Sequence, residues 1–164
     1  MWRVRSLLVA SGLVLFLGLP HPARADLSQE QLSLLHDPGG WEFLAVFDKD
    51  NGVSMQHQCF AEGEPKPSEC NGTLILKSDD TFSESIFMHG FTARRHGTYK
   101  LDDDQLTLFD EFGNSDGPYT VQIDPKKQTM RYSTTQAGVT LGASFVLVRK
   151  YKKEREKQKK QSSQ

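Results

Sequence analysis

From Trp41 onward the chain is a succession of short runs in which apolar and polar residues alternate, each run closed by a tight-turn signal. A period of two is that of a strand with one buried face. The runs fall at residues 41–47, 53–60, 72–77, 81–88, 94–101, 105–109, 119–123, 128–134 and 144–151. Between them stand Asp48-Lys49-Asp50-Asn51-Gly52, whose Asn-Gly pair favours a hairpin, then Ser78-Asp79-Asp80, Asp102-Asp103-Asp104 and Asp124-Pro125-Lys126-Lys127. Residues 136–142 are a link of small residues. Strands this regular, joined by turns this short, predict an antiparallel meander. A meander of eight or nine strands has bare edges unless it closes. The expectation is therefore one all-β domain, an antiparallel up-and-down β-barrel of 8–9 strands.

What precedes the strands is helical and then broken. Ser28 and Gln31 have the spacing of a capping box, with Leu32, Leu34 and Leu35 behind them. A short N-terminal helix over 29–36 follows, ended by Asp37-Pro38-Gly39-Gly40, where proline fixes φ and glycine frees it. Trp41 then opens the first strand, with Phe43, Ala45 and Phe47 on its face, placed to plug one end of a barrel.

Residues 1–25 read as a secretory signal. Arg3 and Arg5 make a positive start, 7–19 is apolar, and Ala23-Arg24-Ala25 is a cleavage site. The expected layout is a signal over 1–25, helix and lead-in over 26–38, barrel over 39–151 and a disordered basic tail over 152–164. The protein is expected to be exported, periplasmic or secreted, with no transmembrane segment. The two cysteines, Cys59 and Cys70, then predict one disulfide. Asn71-Gly72-Thr73 is a glycosylation sequon in a eukaryotic secretory pathway.

Charge narrows the partners. Of 20 basic and 21 acidic residues, three arginines fall in the leader, and eight basic and two acidic residues fall in 149–164. The body keeps nine basic against 19 acidic residues, which argues against nucleic acid. A basic tail can make weak contact with an anionic membrane surface. A monomer is expected.

Catalytic and metal signatures are missing. His36, His57, His89 and His96 have no ligand spacing, so no metal and no cofactor are expected. Residues 48–59 resemble the start of a calcium loop, but Cys59 stands where a bidentate Glu belongs. Gly142-Ala143-Ser144 is not a nucleophile elbow. The adjacent aspartates lie in turns, where carboxylates are solvated. The expectation is not an enzyme.

The faces of the strands say more. Phe43, Phe47, Phe82, Ile86, Leu106, Leu108, Met130, Tyr132, Phe145 and Leu147 alternate with polar residues and face inward. Such a barrel is either filled by side chains or holds one small apolar ligand. For a ligand, Tyr99 and Tyr132 would supply polar contacts, and Phe87, Met88 and Phe91 would ring the entrance. The stretch 87–95 is apolar and then basic, a pattern that marks a ligand or partner contact.

Gly39-Gly40-Trp41, just after a short helix and at the start of the meander, resembles the Gly-x-Trp of lipocalins. Arg149, near the end of the last strand, stands where that family packs a cation over the tryptophan, and Gly97-Thr98-Tyr99-Lys100-Leu101 with Leu106-Thr107-Leu108 resembles a hairpin of bacterial lipocalin-like domains. The chain departs from the family at Ser115-Asp116-Gly117-Pro118-Tyr119, where Thr-Asp-Tyr would be expected. The resemblance implies a divergent, bacterial-type calycin barrel with Gly39, Trp41 and Arg149 as structural anchors. It also implies non-catalytic binding of a small hydrophobic or amphipathic ligand. A weaker resemblance, to small barrel inhibitors of bacterial metalloproteases, implies a protein-binding module acting through an arm at 26–35.

Overall fold

The computed structural model describes residues 26–50, 53–59, 70–88 and 90–161. The expected signal, the loop at 61–69, Asn51-Gly52 and His89 lie outside them. In order, the elements are α1 (Gln29–Leu35), β1 (Trp41–Asp50), β2 (Val53–Gln58), β3 (Cys70–Leu76), β4 (Thr81–Met88), β5 (Phe91–Asp102), β6 (Gln105–Asp110), β7 (Ser115–Asp124), β8 (Thr129–Gln136), β9 (Val139–Leu147) and α2 (Val148–Gln161).

All strand pairings are antiparallel, and β1 pairs with β9, so the sheet closes into an eight-stranded up-and-down barrel. This is consistent with a calycin-like fold. The ninth strand shares an edge. β1 pairs with β2 over 45–50 and with β3 at Trp41 and Glu42, so β2 and β3 occupy one strand position in sequence. The Cys59–Cys70 disulfide joins their adjacent ends, with Cα atoms 4.2 Å apart and both cysteines buried.

One end of the barrel is closed. The Ser28–Gln31 capping box forms as expected. Gln31 Nε2 donates to the Ile123 carbonyl (2.9 Å), and Leu35 is fully buried against the core. Trp41 is also fully buried, and its Nε1 donates to the Leu35 carbonyl at 3.2 Å. Gly40 has φ +72°, and a β-carbon there would stand 2.6 Å from Ile75 Cγ1 and 2.8 Å from the Leu74 carbonyl oxygen. Only glycine fits where the helix turns into the barrel wall.

Three expectations are corrected. β9 ends at Leu147, so Arg149 lies in α2 rather than near the end of the last strand, and its Nε meets Asp37 Oδ2 at 3.2 Å. Residues 152–161 are helical rather than disordered, because Lys, Arg, Glu and Gln are strong helix formers. Lys150 also pairs with Glu154 (3.8 Å) and donates to the Lys127 carbonyl (2.6 Å). Finally, Phe47 leaves the inward face. A bulge between Phe43 and Ala45 shifts the β1–β9 register, so Val46 and Asp48, not Phe47, share a face with Ala143 and Leu141. Phe47 turns its ring toward Gly142 and the Arg131 guanidinium, 4.2 Å from the ring centroid, while still bordering the cavity described below.

The expected link at 136–142 shrinks to a two-residue hairpin turn, Ala137-Gly138, both at positive φ, because Gln136 belongs to β8 and 139–142 to β9.

Candidate functional site

Cross-strand partners in an antiparallel sheet share a face, so the inward residues follow from the register. At the closed end they are large: Trp41, Phe82, Leu106, Met130, Phe145 and Leu147, all buried. Toward the opposite mouth they shrink to Val46, Ala93 and Ala143. A cavity of about 560 Å³ remains there, within the range of small-molecule sites, roughly 300–1,000 Å³. Its walls include Phe43, Val46, Ile86, Met88, Ala93 and Leu141.

Its polar groups are Asp48, Glu84, Arg95, Tyr119 and Tyr132. Glu84 lies in phase with Phe82 and Ile86 along β4, and Arg95 is its direct partner on β5. Arg95 Nε and Nη2 both stand 2.7 Å from Glu84 Oε2, and its Nη1 stands 2.7 Å from Asp116 Oδ2. The Glu84 side chain is 4 % exposed, against 36 % for Arg95 and 38 % for Asp116. Tyr119 donates its hydroxyl proton to Asp116 Oδ1.

Asp116 and Tyr119 are three residues apart, which would set them on opposite faces of a regular strand. A register shift between Leu106 and Leu108 opposes two β6 steps to three on β7 and brings both inside. Gly117 (φ +114°) and Pro118, joined by a cis peptide bond, occupy that bulge. A hollow of about 250 Å³, lined by Phe82, Leu108, Asp110 and Asp116, shares Arg95 with the main cavity.

Tyr132 packs its ring 4.5 Å from Tyr119 and 5.0 Å from Phe145, centroid to centroid. Tyr132 is 7 % exposed and lines the cavity. Burial first, then the nearby Glu84 carboxylate, hold its proton well above the usual phenol range. Burial and Asp116 do the same for Tyr119.

Of the residues expected to bind, Met88 and Tyr132 line the cavity. Phe91, 81 % exposed, stands at the β4–β5 turn beside the mouth, while Phe87 lies on the outer face opposite Asn71 and Thr92. Tyr99 is elsewhere. It is buried at the closed end, donates to the Lys77 carbonyl (2.6 Å) and accepts from His36 Nε2 (2.9 Å). Sequence reasoning missed Glu84, Arg95, Asp116 and Tyr119. The signal for the first two was a charge in the apolar phase of each of two adjacent strands.

Within the 26–35 segment Leu35 is buried, Leu27, Leu32 and Leu34 pack against the core, and Asp26, Ser28, Gln29, Glu30 and Ser33 are exposed. Among the described residues no three His, Cys, Asp or Glu side chains converge to hold a metal ion. No described helix is long and apolar enough to cross a membrane. Compared with protein-family models and with curated proteins, the chain matches none.

Proposed function

We propose that this is an exported, lipocalin-like protein that holds one small amphipathic molecule in the mouth of its barrel without transforming it. The observation that carries this reading is the cavity of about 560 Å³, with an apolar wall and a floor of Glu84, Arg95, Tyr119 and Tyr132. Apolar burial supplies most of the affinity, and the few polar groups orient the ligand. The Gly39-Gly40-Trp41 corner, seated at the closed end under α1, supports the lipocalin-like part of the reading. The basic and apolar leader, together with the Cys59–Cys70 disulfide, supports export, because disulfides persist in oxidising compartments.

The test is titration of the chain from residue 26 onward with N-phenyl-1-naphthylamine, a neutral apolar fluorophore. Saturable enhancement at one site per chain is expected. A signal no larger than that of free probe would overturn the reading.

A further inference from the structure

We infer that the polar end of the ligand is a cationic amine, so the cavity selects alkyl or aryl ammonium compounds over carboxylates of the same length. This rests on the proposed ligand-binding reading and concerns the chemistry of that same site.

The charge arrangement carries the inference. Among the described residues that line the cavity there are two carboxylates, Asp48 and Glu84, and one guanidinium, Arg95. That guanidinium is already engaged, Nε and Nη2 on Glu84 and Nη1 on Asp116, each at 2.7 Å. Nε and Nη2 are also the pair through which arginine would capture a ligand carboxylate. Here the protein's own Glu84 fills it. An anionic head group would find only the two remaining N–H donors of Arg95 and would bring a further negative charge beside Glu84, Asp116 and Asp48. In a partly desolvated cavity that repulsion is weakly screened.

A cation meets the opposite situation. Both bonds that Arg95 makes to Glu84 reach Oε2, so the guanidinium does not take up Oε1. Glu84 and Tyr132 are 6 % and 7 % exposed, so both are more than nine-tenths buried, and both line the cavity. An ammonium donates three hydrogen bonds and accepts none. The Glu84 carboxylate and the Tyr132 hydroxyl oxygen can accept two of them, while the alkyl chain lies along Val46, Ile86 and Met88.

The experiment is displacement of N-phenyl-1-naphthylamine at neutral pH by decylamine, decanol and decanoate, which share one chain length and differ in head-group charge. Decylamine is expected to displace the probe at a concentration at least ten-fold below that of decanoate, with decanol between them. Glu84→Gln is expected to abolish or invert this order, since it removes the negative charge and loosens the hold on Nε and Nη2 of Arg95. Asp48→Asn leaves the Arg95 clamp intact and is expected to shrink the amine advantage by a few-fold, which covers the case in which Glu84→Gln does not fold. Probe binding with decanoate equal to or better than decylamine overturns the head-group inference and leaves the ligand-binding reading standing. Absence of probe binding overturns both.

Discussion

Arg95 is the counter-charge of Glu84, and the two sit where the barrel turns from filled to hollow. Arg95→Met would leave a nearly buried carboxylate unpaired. Breaking a fully buried pair costs about 3–5 kcal/mol, and the 36 % exposure of Arg95 lowers this to about 2–4 kcal/mol. Adding Glu84→Leu should recover part of the loss, because replacing both charges by apolar groups removes the penalty as well as the attraction. Urea unfolding of the four members of this cycle checks it; a double variant no more stable than Arg95→Met alone would contradict the coupling. The four tyrosines offer a second test. Tyr99 is pushed up to about 12, chiefly by burial, and Tyr119, Tyr132 and Tyr151 are also raised. Because the fold holds these protons more tightly than an unfolded chain with a phenol pKa of about 10, the stabilisation is complete below that pH and is lost as pH rises toward and beyond 12. Phenolate absorbance should therefore appear together with loss of tertiary structure. Separate ionisation near pH 10 with the fold intact would refute it. Glu84 was legible in the sequence as a charge in phase with Phe82 and Ile86, whereas Asp116 was hidden because its phase depends on a bulge.

At the scale of elements, the turns and strand count were legible and the two bulges were not. Alternation assigns a face only while the register runs unbroken, so an extra residue in β1 turned Phe47 toward Gly142 and Arg131, and one in β7 brought Asp116 inside. The α2 helix was obscured for another reason: its residues carry helix propensity but no apolar stripe to announce it. The split strand position of β2 and β3 gives the disulfide its role, since it ties the two pieces that share one edge of β1. Replacing both cysteines by alanine should cost about 3 kcal/mol, the chain-entropy value for a loop of this length, and should leave probe binding within about two-fold. A change in melting temperature too small to detect would argue that β1 alone holds β2 and β3 in register. The α1 helix is equally part of the fold. Deleting residues 26–35 removes a fully buried Leu35 and takes the hydrogen-bond acceptor from Trp41 Nε1. A loss of at least about 2 kcal/mol in chemical unfolding is expected, from the burial of one leucine and one hydrogen bond. An unchanged midpoint would show that the segment is free to act as an arm.

Taken whole, the barrel is two vessels on one wall. Aromatic and large aliphatic side chains fill the end under α1, and the far end is hollow because the facing positions are Val46, Ala93 and Ala143. Closure of the sheet followed from strand rhythm alone. The hollow did not, because it depends on which residues face one another across the interior, and that requires the register. Ala143 marks the boundary: it is 2 % exposed, stands opposite Val46 and Tyr132, and lines the cavity. Enlarging a side chain in a packed core typically costs about 1–3 kcal/mol, because neighbours are forced off their preferred rotamers. Phenylalanine at 143 should instead enter open space and cost under about 1 kcal/mol, while lowering affinity for N-phenyl-1-naphthylamine at least ten-fold. Leu108→Phe, at a position 1 % exposed in the core, supplies the contrast and should show the full overpacking cost. Thermal unfolding and probe titration of the two variants side by side decide the matter. If Ala143→Phe were as destabilising as Leu108→Phe, or bound the probe like the parent chain, the interior at that level would be filled and a ligand would have to be sought outside the barrel.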